Sequence, residues 1–141
     1  MKKVLFVCDN SARSQMAEGI LRHYRSDEFE AFSAGISSAG LNPYAVKVMA
    51  EIGIDISKQR SKSVEEFKGQ IFDFVVTCCD KAKESCSVFP GSKARIHWRF
   101  DDPAEVTGTE EEKLAAFRRV RDELKKGLSV HLNKGENDRA V

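Results

Sequence analysis

A single α/β domain, in which a parallel sheet carries helices on both faces as a three-layer sandwich, is what this 141-residue sequence predicts. Three observations point there. Short β-branched and apolar runs alternate with segments of helical spacing; those runs are apolar throughout instead of every second residue; and the residues that carry chemistry sit at the ends of the runs. Strands with unbroken apolar character are buried on both faces, as parallel strands between helices are. In such sheets ligands collect at the carboxyl ends of strands, where Cys8, Cys79 and Asp102 all fall.

Taken in order, Lys2 to Val7 reads as the first strand and Ser14 to about Arg25 as a helix. Phe29 to Ser33 reads as a second strand, and Ala34-Gly35-Ile36-Ser37-Ser38-Ala39-Gly40 as a loop because its residues are small. Asn42-Pro43 opens a helix running to about Ile52, with proline at the first helical position and Gly53 just past the end. Asp73 to Thr77 is a third strand and Ala94 to Trp98 a shorter fourth. From Glu110 to about His131, the spacing of Leu114, Phe117, Val120, Leu124 and Leu128 predicts a long helix. The domain is expected to span residues 1–131, and the polar residues 132–141 to form a flexible tail.

Composition bounds the function. Apolar residues make up 41% of the chain, enough for one ordinary core without disulfide staples. Twenty-three basic residues nearly balance 22 acidic ones, which argues against nucleic acid as a partner; an anion site must come from local geometry. The N-terminal apolar run is too short for a signal peptide or a membrane span, so a cytoplasmic location is expected, with the four cysteines reduced unless their oxidation is catalytic.

The most informative segment is Cys8-Asp9-Asn10-Ser11-Ala12-Arg13-Ser14. A strand delivers a thiol into a small polar turn just ahead of a helix. The helix start offers unpaired N–H groups and partial positive charge, which bind oxyanions and favour thiolate at Cys8. Arg13 adds a planar fork that clamps two oxygens of a tetrahedral anion, and Asn10, Ser11 and Ser14 line the same turn, the two hydroxyls facing the thiolate or a leaving oxygen. The competing reading is a buried strand-end thiol beside an ordinary surface arginine.

A second cysteine group follows the third strand. Cys78 reads as a small core residue. Cys79 and Cys86 lie seven positions apart, which on a helix is about 10.5 Å, beyond the roughly 7 Å that a disulfide spans; a bond between them requires the segment to unwind or loop. A zinc site lacks the close Cys-x-x-Cys spacing, and no metal is expected. Asp102, held extended by Pro103, stands where a carboxyl could donate a proton to a leaving oxygen, although an Asp-Pro turn or a helix cap is the commoner role. His23, His97 and His131 read as surface or packing residues, and Trp98 as a core or rim aromatic.

With these pieces assembled, the chain resembles the thioredoxin-coupled arsenate reductases of the low-molecular-weight tyrosine phosphatase fold. The resemblance runs from Lys3 to about Leu128 through Val7-Cys8, Asn10-Ser11, Arg13 to Gly19, Ser33-Ala34-Gly35, Ile52 to Ser57, Val75-Val76-Thr77, Cys79 with Cys86, His97-Trp98, Phe100 to Pro103, and Phe117 to Glu123. It implies a four-stranded parallel sheet in the order 2-1-3-4 and a monomer without a tightly bound cofactor. It also implies a relay. Cys8 attacks arsenate held by the loop and Arg13, and Asp102 protonates the leaving oxygen; Cys79 then attacks Cys8 and arsenite departs. Cys86 next moves the disulfide outward to Cys79–Cys86, where thioredoxin reduces it; Cys78 has no role. The alternatives are a phosphatase acting on phosphotyrosine or small phosphoesters and a non-catalytic arsenite or oxyanion binder.

Three departures from that family pattern stand out. Four residues, where the family has five, separate Cys8 from Arg13, so one backbone N–H fewer surrounds the anion. Ala12 replaces a cysteine common before the loop arginine. Some relatives bind potassium beside the loop; Asn10, Ser33 and Glu18 match that set, but Lys62 stands in the place of its aspartate, so no cation is expected.

Overall fold

The computed structural model describes residues 1–8, 12–36, 40–79 and 94–131, the last three by backbone only. Four strands, β1 (Lys2–Cys8), β2 (Phe29–Gly35), β3 (Phe74–Thr77) and β4 (Ala94–His97), form one sheet in the order β2-β1-β3-β4, with every pairing parallel. Among the described residues, three α-helices accompany them: α1 (Ala12–Arg25), α2 (Pro43–Ala50) and α3 (Glu110–His131). This is the architecture and strand order that the sequence predicts.

β1 is central, and Val4, Leu5 and Phe6 are each wholly buried, which accounts for its unbroken apolar run. Alternation along the strand divides the core in two. Val4, Phe6 and Cys8 join Val76 and Cys78 in a large cluster with Met16, Ile20, Val48, Phe117 and Leu124 of the three helices. Leu5 and Val7 join Val75, Phe72, Val64 and Phe67 in a smaller one, to which a 3-10 turn at Val64–Phe67 contributes Val64 and Phe67.

Local chemistry sets the element ends. The Asn42 side chain accepts hydrogen bonds from the N–H groups of Tyr44 (2.8 Å) and Ala45, and Pro43 follows at the first helical position. Gly53, just past α2, takes φ +80°, where a side chain would be strained. At the end of α2, Glu51 receives Arg118 and Arg121 from α3; hydrogen bonding to Arg118 holds its carboxyl down at about 2 against partial desolvation, so the clamp persists at any ordinary pH.

Several boundaries differ from the sequence reading by a residue or two, and three of them bear on the site. β2 continues through Ala34 and Gly35, which pair with Val7 and Cys8; their small size reflects close approach of backbones, since the Gly35 N–H donates to the Lys62 carbonyl at 2.8 Å. β1 correspondingly includes Cys8. Helix α1 begins at Ala12 and not at Ser14, so Arg13 lies within its first turn instead of ahead of it.

Candidate functional site

The register brings the expected residues to one sheet edge. Val7 pairs with Thr77 and Cys8 with Gly35, so the nucleophile candidate, the thiols after β3 and the turn after β4 converge at the carboxyl ends of the strands. Cys8 is wholly buried. Its S–H donates to Ser14 Oγ at 3.2 Å, its sulfur accepts from the Ser14 N–H at 3.4 Å, and the Ser14 hydroxyl donates to the Ala34 carbonyl at 3.3 Å. Ser14 has one hydroxyl proton. While Cys8 is a thiol that proton rests on Ala34; once Cys8 ionises, it can turn to the sulfur, so Ser14 is a built-in acceptor that converts to a donor.

Burial pushes the Cys8 thiol above its ordinary value of 9.0, although the Ser14 hydrogen bonds and the Arg13 charge pull it down. This corrects the expectation of a favoured thiolate. The Ser14 hydrogen bonds and the arginine charge act in the expected direction, but desolvation by the packed core outweighs them. The remaining loop residues, including Asn10 and Ser11, lie outside the described residues. Cys78, also wholly buried, is pushed well above 9.0, mainly by desolvation.

A stability consequence follows. Both thiols bind their protons more tightly when folded than when unfolded, so the folded state holds more protons as pH rises past about 9, and stability must fall there. Thermal unfolding measured from pH 7 to 10 should show Tm dropping above pH 9, with a shallower slope in Cys8→Ser; equal slopes would contradict the assignment.

Arg13 is 3% exposed, and one terminal nitrogen donates to the Phe100 carbonyl at 2.7 Å. Another lies 3.9 Å from Asp102 Oδ2. Its Nε is buried and meets no acceptor among the described residues. A buried charged donor left unpaired is costly, and an oxyanion at the helix start would satisfy it. Asp102 takes the capping role weighed from the sequence: Oδ1 accepts from the Ala104 N–H at 2.9 Å, capping a 3-10 turn at Pro103–Glu105, while Oδ2 faces Arg13. Arg13, Cys79, Asp102, Phe100 and Glu105 wall a cavity of about 440 Å³. Cys79 is half-buried, and its charge would interact with that of Cys8. Cys86 lies outside the described residues.

Sequence reasoning missed the support beneath this site. Phe100, whose carbonyl holds Arg13, stacks on Trp98 with ring centroids 4.6 Å apart, and Trp98 lies over Gly127 of α3. A Cβ at Gly127 would sit 2.0 Å from Trp98 Cζ2. Glycine in mid-helix costs about 1 kcal/mol relative to alanine, so its presence there was the available signal. Gly127→Ala should destabilise the protein by about 1–2 kcal/mol, overpacking less the helix-propensity gain, and lower activity at least tenfold by shifting Phe100 and Arg13. Urea unfolding and steady-state assay of the same sample check this; a variant as stable and active as wild type would contradict it. His97, read as partnerless, has its Nδ1 2.8 Å from Thr77 Oγ1.

Of the residues matched to a potassium set, Ser33, Glu18 and Lys62 come together, with Arg22 as a further partner, while Asn10 lies outside the described residues. Ser33 donates to the buried carboxylate of Glu18, Lys62 Nζ lies 3.8 Å from it, and Arg22 forms a close ion pair with it. Two protein cations already neutralise this one carboxylate, so the described residues do not fit a further cation. A larger groove of about 490 Å³ runs past Arg22, Lys58 and Lys62 and includes none of the described thiols.

A thiol, a buried arginine and an aspartate gathered at the carboxyl edge of a parallel sheet, at the start of a helix, define a class: α/β proteins built to bring a cysteine nucleophile to an oxyanion. The chain belongs to the low molecular weight phosphotyrosine protein phosphatase family, whose model matches residues 3–139. It is 50% identical over 136 residues to an arsenate reductase of Halalkalibacterium halodurans, covering 96% of this chain and 98% of that one. It is 48% identical, with the same coverage, to an arsenate reductase of Bacillus subtilis. Among solved structures it resembles an arsenate reductase in the phosphate binding state, with TM-score 0.82 and 32% identity over 95% of this chain and 98% of that one. Among the described residues, no helix is long and apolar enough to cross a membrane.

Proposed function

We propose that this protein reduces arsenate to arsenite by a thiol relay. Arg13 and the helix start hold the oxyanion, and its charge meets the buried Nε, which has no acceptor among the described residues. Cys8 attacks arsenic through its thiolate, with Ser14 turning its hydroxyl toward the sulfur, and Asp102 passes a proton to the departing oxygen, which leaves as water. Cys79 attacks Cys8 Sγ; the sulfur–arsenic bond breaks, its electron pair stays with arsenic, and arsenite departs, leaving a Cys8–Cys79 disulfide. Cys86 then takes over Cys79, and thioredoxin reduces the resulting bond.

The observation that carries this reading is Cys79 in the wall of the cavity that Arg13 and Asp102 share, where a phosphatase needs no second thiol. The relatives' names supply the choice of arsenate. A phosphotyrosine substrate fits less well, because Glu105 and Val106 form the rim of the cavity where an aromatic platform would be needed.

Cys86→Ser separates the possibilities. The relay predicts one arsenite released per chain and then no cycling with thioredoxin. Undiminished cycling would overturn the role of Cys86. Absent arsenite with intact hydrolysis of p-nitrophenyl phosphate would assign a phosphatase, and arsenite binding with neither activity a non-catalytic binder.

A further inference from the structure

Cys78 is the thiol that the relay leaves unused, yet the sheet places it beside the nucleophile. Val7 is paired with Thr77, and the Cys78 N–H donates to the Val7 carbonyl at 2.8 Å, closing that rung. Extended by one residue past its last pair, that parallel register would set Cys8 opposite Cys78. Both side chains are wholly buried and both belong to the helix-side core cluster, so they project from the same face. Each also lies within electrostatic range of the other. Neighbouring strands run about 4.8 Å apart, inside the roughly 4.4–6.8 Å Cα separation of disulfides. Cys79, one residue on, is half-buried and packs against both core clusters.

We propose that Cys78 is a second resolving thiol, able to close a disulfide directly onto Cys8 within the sheet. The inference rests on Cys8 being the reactive thiol of the proposed function. On the arsenic adduct, Cys78 Sγ attacks Cys8 Sγ as its own proton leaves to solvent; the Cys8–arsenic bond breaks and its electron pair departs with arsenite. Two thiols are oxidised as As(V) becomes As(III). With hydrogen peroxide as oxidant, Cys8 first becomes the sulfenic acid with release of water, and attack by Cys78 expels a second water. In both cases the bond forms one rung across the sheet and needs no movement of the segment carrying Cys86. Burial holds Cys78 as thiol, so this route is slow beside that of Cys79. It acts when Cys79 is engaged or missing, and it keeps Cys8 from irreversible oxidation.

The test uses Cys79→Ser/Cys86→Ser, which retains two of the four cysteines, Cys8 and Cys78. After arsenate or peroxide, denatured thiol titration should fall from two per chain to zero, and digestion with trypsin should yield peptides 4–13 and 69–81 joined. With arsenate, one arsenite per chain should appear, on the order of a hundredfold more slowly than the first turnover of wild type. The triple variant that adds Cys78→Ser should give no cross-link and, with peroxide, accumulate a sulfenic acid that dimedone traps. Thiols persisting in the folded double variant under both oxidants, while wild type still releases arsenite, would overturn this inference and leave the proposed function standing. A cross-link with peroxide alone, when wild type also releases no arsenite, would uphold the pairing and overturn arsenate reduction.

Discussion

Cys8→Ser should abolish arsenite release altogether, in single turnover as well as in cycling, while the protein stays folded. A serine hydroxyl neither ionises usefully near neutral pH nor forms a disulfide, so both the attack on arsenic and the two-electron step are lost. The fold should tolerate the change. The Ser14 N–H and hydroxyl that meet Cys8 Sγ can meet an oxygen, and the substitution removes little volume from a site held between β2 and β3. Expected are a Tm within a few degrees of wild type and arsenite below detection by chromatography with elemental detection. Arsenite formed at even a tenth of the wild-type rate would mean another thiol starts the reaction.

Arg13→Lys should be the next most damaging change, lowering kcat/KM by about 10²–10³. The loss arises from geometry more than from charge. The Arg13 fork spends one arm on the Phe100 carbonyl and turns another toward Asp102, leaving a buried Nε for the anion. A lysine ammonium is a single point that cannot hold the carbonyl and two anion oxygens in one plane. Steady-state kinetics with arsenate varied should show the loss; a decrease below tenfold would mean that charge alone suffices.

Much of this site was legible because its residues are close in sequence or mark strand ends. β1 could be read from its unbroken apolar run, the Cys8–Arg13 turn from its position between strand and helix, and Asp102 from the Asp-Pro turn after β4. The strand order came from resemblance to a family, because strand periodicity does not say which strands are neighbours. What escaped the reading depends on contacts distant in sequence. Ala34 and Gly35 looked like loop because small residues serve both loops and close backbone approach. Gly127 under Trp98 joins positions 29 apart, and Lys62 reaches Glu18 from 44 positions away, whereas Arg22 pairs with Glu18 one turn along the same helix. The direction of the Cys8 shift was misjudged because local sequence discloses the helix start and the arginine but not how completely the core buries the sulfur.

Arsenate-dependent NADPH oxidation in the presence of thioredoxin and thioredoxin reductase tests the central claim most directly, run on protein whose intact mass confirms four residues between Cys8 and Arg13. Sustained oxidation that matches arsenite formed one for one, and that stops in Cys8→Ser and in Cys86→Ser, is the predicted result. No oxidation by folded wild type at the correct mass, or oxidation that continues without Cys8, would contradict it.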